Sequence, residues 1–170
     1  CPDGPDRKRP AVRFILLTLS HRQPAWVDTA FDDYAKRMPR EARIDLQVLK
    51  PESRPESAGA AAVDRLLEKE AQRVLAAIPA GARVIALDER GQSWSTKTLA
   101  RSMEGWFQEG RDVVWVVGSA DGLHASVLAR ADQQVSLSAL TLPHGLVRVV
   151  LTEQLYRALS LLRGHPYHRE

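Results

Sequence analysis

Three short apolar runs limit what this 170-residue chain can become: "VRFILLTL" (residues 12–19), "RVIALD" (83–88) and "DVVWVVG" (112–118). Each has the length and the β-branched or aromatic content of a strand, and a strand apolar on both sides must be covered on both sides. A fourth run, "RIDLQVL" (43–49), alternates as a strand does. Helical spacing separates them. Residues 26–38 place Trp26, Ala30, Phe31, Tyr34 and Met38 on one predicted face, and residues 60–77 repeat Val63, Leu66, Leu67, Val74 and Leu75 before a stop at Pro79 to Gly81. Ser95 and Thr96 offer N-caps to a helix that runs through Glu109 and ends at Gly110. Strand, helix, strand in that rhythm predicts an α/β domain with a mostly parallel sheet and helices on both faces. The polar, proline-bearing stretch "KPESRPESAG" (50–59) has no packing residues and is predicted to be a mobile loop.

The last third breaks the rhythm. A short helix near 125–131 and an extended segment near 134–137 lead into "SLSALTLPHG" (136–145), which has neither helical nor strand period. Residues 146–163 then form a helix that is apolar around most of its circumference, with Arg148, Thr152, Glu153 and Arg157 as its polar stripe. Such a terminal helix is expected to face a second subunit as well as its own core, which predicts a homodimer.

Composition narrows the function classes. A share of 44% hydrophobic residues is that of a globular domain, and 24 basic against 21 acidic residues give a formal charge of +3, a mild lean toward polyanions. The one cysteine, Cys1, excludes an intrachain disulfide and a zinc site built on paired cysteines. The histidines are too scattered for a metal site, and none is expected. No apolar run is long enough to span a bilayer, so the expected setting is cytoplasmic. Residues 1–11 are set aside as an N-terminal extension, native or introduced, and 12–170 are expected to be one domain.

Ligands of open α/β sheets bind at the carboxyl ends of strands. Two such ends carry small or charged residues: Gly118, Ser119, Ala120, Asp121 and Gly122 after one run, and Asp88, Glu89 and Arg90 after another. Neither is a dinucleotide fingerprint or a phosphate-binding loop, and charges at a strand end are most often simply solvated. The segment 136–145 fits either a backbone-lined pocket for an adenine edge or an ordinary buried loop.

Those segments, taken in order and spacing, resemble one family. "SLSALTLPHGLVRVVLTEQLYRALSLLRGHPYHRE", "LDERG" (87–91), "DVVWVVGSADGL" (112–123) and "RQPAWVDTAFDDYAKRMP" are similar to the bacterial ribosomal large-subunit methyltransferase H family, across residues 12–170. The resemblance implies a SPOUT-type α/β knot, with a C-terminal trefoil knot near 136–145. It also implies a homodimer, S-adenosyl-L-methionine as cofactor, no metal and no membrane, and methylation of N3 of a pseudouridine in helix 69 of 23S rRNA on the assembled ribosome. Two alternatives stay open beside it: a SPOUT methyltransferase for another RNA, or a knotted RNA-binding module without catalysis.

Carried over residue by residue, the cofactor would be held by Leu87, Gly118, Ser119, Ser138, Ala139, Leu140, Thr141, Leu142 and Pro143. Many relatives have a second glycine where this chain has Ser119, which bears on how closely a ligand approaches the backbone there. The tail His165-Pro166-Tyr167-His168-Arg169-Glu170 would hold RNA, with Tyr167 stacking on a base, Arg169 clamping a phosphate and His168 at the uracil edge as proton acceptor.

Overall fold

The computed structural model describes residues 11–57 and 59–169, the side chains of His168 and Arg169 excepted. Of the N-terminal extension, only Ala11 falls among the described residues. The strands are β1 (Phe14–Leu19), β2 (Ile44–Leu49), β3 (Arg83–Ser93), β4 (Val113–Val117) and β5 (Gln133–Ser136). The helices are α1 (Ala25–Ala35), α2 (Ala60–Ala77), α3 (Thr96–Glu109), α4 (Ala125–Arg130) and α5 (His144–Leu162), and the tail closes in a 3₁₀ turn, Pro166–Arg169. All strand pairings are parallel, in the order β2-β1-β4-β3-β5.

Period two divides each central strand between two cores. Phe14 and Leu16 of β1 join Ile85, Val113 and Trp115 beneath α1, α3 and α5, while Ile15, Leu17 and Leu19 join Val84, Val114 and Val116 beneath α2 and α4. Trp115 anchors the first layer, edge-on to Trp106 at 5.9 Å and to Trp94 at 6.5 Å. Helix α3 begins and ends where its sequence indicates: the Ser95 hydroxyl accepts from the Thr98 N–H at 3.1 Å, and Gly110 closes it at φ 72°.

Four expectations are corrected. Trp26 is 54% exposed, and Val27 takes its place beside Phe31, which is buried as expected, on the inner face of α1; eleven helical residues leave the phase of a 3.6 period poorly determined. Strand β3 does not stop at Asp88. It slips register between Leu87 and Gln92 and continues beside β5, because Gly91 lets the two backbones meet: a Cβ there would lie 2.6 Å from Gln134 C and Val135 N. Arg148 and Thr152 are buried, not part of a solvated stripe, since the Arg148 guanidinium reaches Ser20 Oγ at 3.2 Å and Asp28 Oδ1 at 3.5 Å. The loop at residues 50–57 is tied down by Arg54, whose partners belong to the site.

Candidate functional site

The carboxyl edge of the sheet borders a hollow, a cavity of about 570 Å³, within the range of small-molecule sites. Three segments wall it. The end of β3 contributes Leu87, Asp88, Glu89 and Arg90; the turn after β4 contributes residues 118–122; and the passage from β5 to α5 contributes Ser138, Leu140, Thr141, Leu142, Pro143 and His144. Of the expected cofactor residues, Leu87, Gly118, Ser119, Ser138, Leu140, Thr141, Leu142 and Pro143 are brought together here, and Ala139 is not among the lining residues.

Gly118 is a position where no side chain fits. A Cβ on it would lie 2.6 Å from Gly122 O and 2.7 Å from Gly122 C, because the turn folds back on itself, Gly122 N–H donating to Ser119 O at 2.9 Å. In the second passage Ser138 Oγ accepts from the Leu140 N–H at 2.9 Å, so this stretch is held by its own short bonds while Leu140 stays 76% exposed at the rim. The charges at the end of β3 are not free: Arg90 donates from its backbone and its guanidinium to Asp88 and holds that carboxyl below its ordinary value. Glu89 accepts from Thr141 Oγ1 at 3.3 Å, joining two of the three walls.

His144 starts α5 at the cavity wall. Burial pushes its pKa down, opposed by a hydrogen bond to the Ser119 backbone and aided by the Arg148 charge, and its Nδ1 is buried without a partner among the described residues. A buried orphan ring nitrogen, apolar walls from Leu87, Val117, Val135 and Leu142, and backbone groups in the Ser138 segment suit a ligand with a neutral heterocyclic edge and an apolar body.

Sequence reasoning missed the residues that hold the turn from behind. Glu70 of α2 is 1% exposed and accepts from the Glu52 N–H (2.9 Å), from Ser119 Oγ (3.0 Å) and from both terminal nitrogens of Arg54 (3.0 and 3.2 Å). Arg54 also donates from Nε to Asp121 Oδ2 at 2.7 Å and from Nη2 to Ser119 Oγ at 3.0 Å. The Ser119 side chain is therefore occupied behind the turn. No local signal marks this cluster, because the bonds that build it join residues 16 to 67 positions apart.

The tail lies elsewhere. Tyr167 packs its ring 4.7 Å from that of Tyr156, donates its hydroxyl to Glu153 Oε1 at 3.0 Å and lies beneath Arg157, all on the outer part of α5, so it does not line the cavity of its own chain. Burial pushes its hydroxyl pKa up, with hydrogen bonds to Tyr34 and Glu153 adding to the shift. The side chains of His168 and Arg169 lie outside the described residues. Among the described residues no group of three or more His, Cys, Asp or Glu side chains is placed to hold a metal ion, and no helix is long and apolar enough to cross a membrane.

The family described as "Predicted SPOUT methyltransferase" matches residues 12–168. Two proteins called Ribosomal RNA large subunit methyltransferase H, from Burkholderia ambifaria and Burkholderia multivorans, are each 49% identical over 158 residues, 93% of this chain and 99% of theirs. Among solved structures, a probable methylase family protein from Haemophilus influenzae Rd KW20 superposes with a TM-score of 0.55 at 14% identity, covering 92% of this chain and 67% of that one, a likeness of fold.

Proposed function

The chain belongs to the SPOUT methyltransferase family, and on that premise we propose that it methylates large-subunit ribosomal RNA with S-adenosyl-L-methionine held in the cavity at the carboxyl edge of the sheet. The observation that carries this reading is the convergence of three walls, the ends of β3 and β4 and the passage into α5, on a hollow that fits an adenosine-sized body. The cofactor brings a methyl group already activated on a sulfonium. What remains for the protein is to bind, orient and exclude water.

Each wall has a part in that. The backbone of Ser138 and of residues 140–143 would hold the adenine edge with amide groups, and Leu87, Leu142 and Val147 would supply its apolar surroundings. Gly118, with no room for a side chain, brings main chain to the ligand. His144, held toward its neutral form by burial, offers Nδ1 as an acceptor. The crossing of this passage into α5 is where the family's knot would be threaded.

The acceptor is proposed to be N3 of a pseudouridine in helix 69 of 23S rRNA, presented by the assembled ribosome. Tyr167, His168 and Arg169 are its proposed handlers: an aromatic face for a base, a proton acceptor near neutral pH and a bidentate phosphate clamp. Because Tyr167 is docked on its own α5 and away from its own cavity, the tail is proposed to serve the cavity of a second copy. Exposed Trp26 and Leu146, on the neighbouring helices α1 and α5, favour the homodimer. A ribosome-modifying enzyme of this kind would work in the cytoplasm, on residues 12–170 as one domain.

Calorimetric titration with S-adenosyl-L-methionine, of the protein and of a Ser138→Trp variant, tests the cavity, and transfer of a labelled methyl group to purified ribosomes tests the substrate. Saturable binding that the tryptophan abolishes, followed by label on 23S rRNA, is the expected result. Undiminished binding in Ser138→Trp would move the cofactor elsewhere, and label on another RNA would replace the substrate.

A further inference from the structure

Arg54 comes from a stretch with no packing residues, yet its guanidinium donates to Glu52 O, Glu70, Ser119 and Asp121. It pairs with the buried Glu70 carboxylate, grips Asp121 and completes the hydrogen bonding of Ser119. A carboxylate at 1% exposure needs a charge partner and filled lone pairs, and the loop supplies both, the guanidinium of Arg54 and the Glu52 N–H. A second staple, Arg73 of α2 to Glu52 at 3.3 Å, keeps the loop over α2.

The contacts to the turn are the consequential ones. Ser119 is fixed from two directions: its hydroxyl donates to Glu70 and accepts from Arg54 behind the turn, and its carbonyl accepts from the Gly122 N–H across the turn. Asp121 is drawn toward Arg54 by a charge-assisted bond of 2.7 Å. The hydroxyl of the serine that stands at this position is thus committed to Glu70 and Arg54.

We propose that Arg54 is a positioning residue for the methyl donor: it holds residues 118–122 in the conformation that receives S-adenosyl-L-methionine, and it couples residues 50–57 to occupancy of the cavity. This rests on the reading that the cavity takes that cofactor. Coupling is reciprocal, so a ligand that favours the held turn also favours the held loop.

The test is calorimetric titration of the full chain with S-adenosyl-L-methionine for wild type, Arg54→Ala, Asp121→Ala and the double variant. Arg54→Ala is expected to weaken binding about tenfold, the scale of losing one charge-assisted hydrogen bond. Asp121→Ala cuts only the exposed bond, leaves the Arg54–Glu70 pair intact and serves if Arg54→Ala does not fold; it is expected to weaken binding to a smaller extent. The double variant should bind no worse than Arg54→Ala, because the aspartate acts through the arginine. In wild type, added cofactor should slow amide exchange across residues 50–57, the Glu52 N–H included.

A purely structural role would lower the melting temperature of Arg54→Ala and leave its affinity unchanged, which overturns the proposal. So would losses that multiply in the double variant, since Asp121 would then touch the ligand independently, and so would loop exchange indifferent to cofactor. Absence of binding by the wild type would overturn the cavity reading itself, and the proposal with it.

Discussion

Replacing Gly118 by alanine is the sharpest single probe of the site. The new methyl would sit 2.6 Å from Gly122 O, 2.7 Å from Gly122 C and 2.9 Å from the Leu123 Cγ. The first two are backbone, so no rotamer change relieves them, and Leu123 is itself 8% exposed in the second core. The turn must open by several tenths of an ångström at least, against the Gly122–Ser119 hydrogen bond and the packing of Leu123. Overpacking of this kind costs about 1–3 kcal/mol. In a domain of this length that corresponds to a fall in melting temperature of roughly 4–8 °C at the middle of the range. Because the same turn walls the cavity, affinity for S-adenosyl-L-methionine should fall in parallel. Differential scanning calorimetry and titration on one preparation give both numbers. A Gly118→Ala protein that melts and binds as wild type would refute the reasoning that this backbone is closed to a side chain.

Other substitutions test other steps. Gly105→Ala, inside α3 with nothing within 4 Å of its Cβ position, should stabilise the protein by about 0.5–1 kcal/mol in urea titration, the opposite sign from Gly118→Ala; a loss would show that helix to be less regular than described. Glu70→Ala removes the buried partner of Arg54 and leaves the guanidinium only Asp121, the Ser119 hydroxyl and the Glu52 carbonyl; it should destabilise by about 3 kcal/mol by the same urea titration, near the lower end for a broken buried pair because Arg54 is partly exposed and keeps those bonds, and a change within about 0.5 kcal/mol would mean the pair is dispensable. For His144, burial holds the folded-state pKa below the ordinary 6.5, so the folded protein resists a proton that the unfolded chain accepts. Its contribution is therefore full above the unfolded value and is lost as pH falls through the folded one. Melting temperature should then drop less steeply in His144→Gln than in wild type between about pH 7 and pH 5, and parallel curves would remove His144 as the cause.

What could be seen in advance follows from how far apart the interacting residues stand. β1, β4 and the first half of β3 announce themselves because a strand buried on both faces must be apolar throughout, and the Ser95 and Gly110 caps of α3 because capping is a contact within one turn. The second half of β3 did not, since Gln92 and Ser93 are strand residues only by virtue of β5, and the feature that permits the pairing is a missing side chain at Gly91. Arg148 was misplaced for a related reason: residue type says solvent, and only the approach of α5 to Ser20 and Asp28 says otherwise.

The candidate site divides along the same line. That something should bind at the ends of β3 and β4 follows from parallel-sheet geometry alone. That the irregular passage 137–143 forms the third wall came from likeness to a family, because its lack of period is compatible with any loop. Arg54 was visible to neither argument. Its stretch looks like a linker by every local measure, and its partners Glu70, Ser119 and Asp121 come from a helix face and a turn that meet only when the sheet has formed. Buried charge is the trace such a residue leaves: a glutamate on the core-facing side of α2, between Leu67 and Val74, has to find a cation. The loop that reaches that face has to carry the cation, and between Pro51 and Ser57 the only basic residue is Arg54.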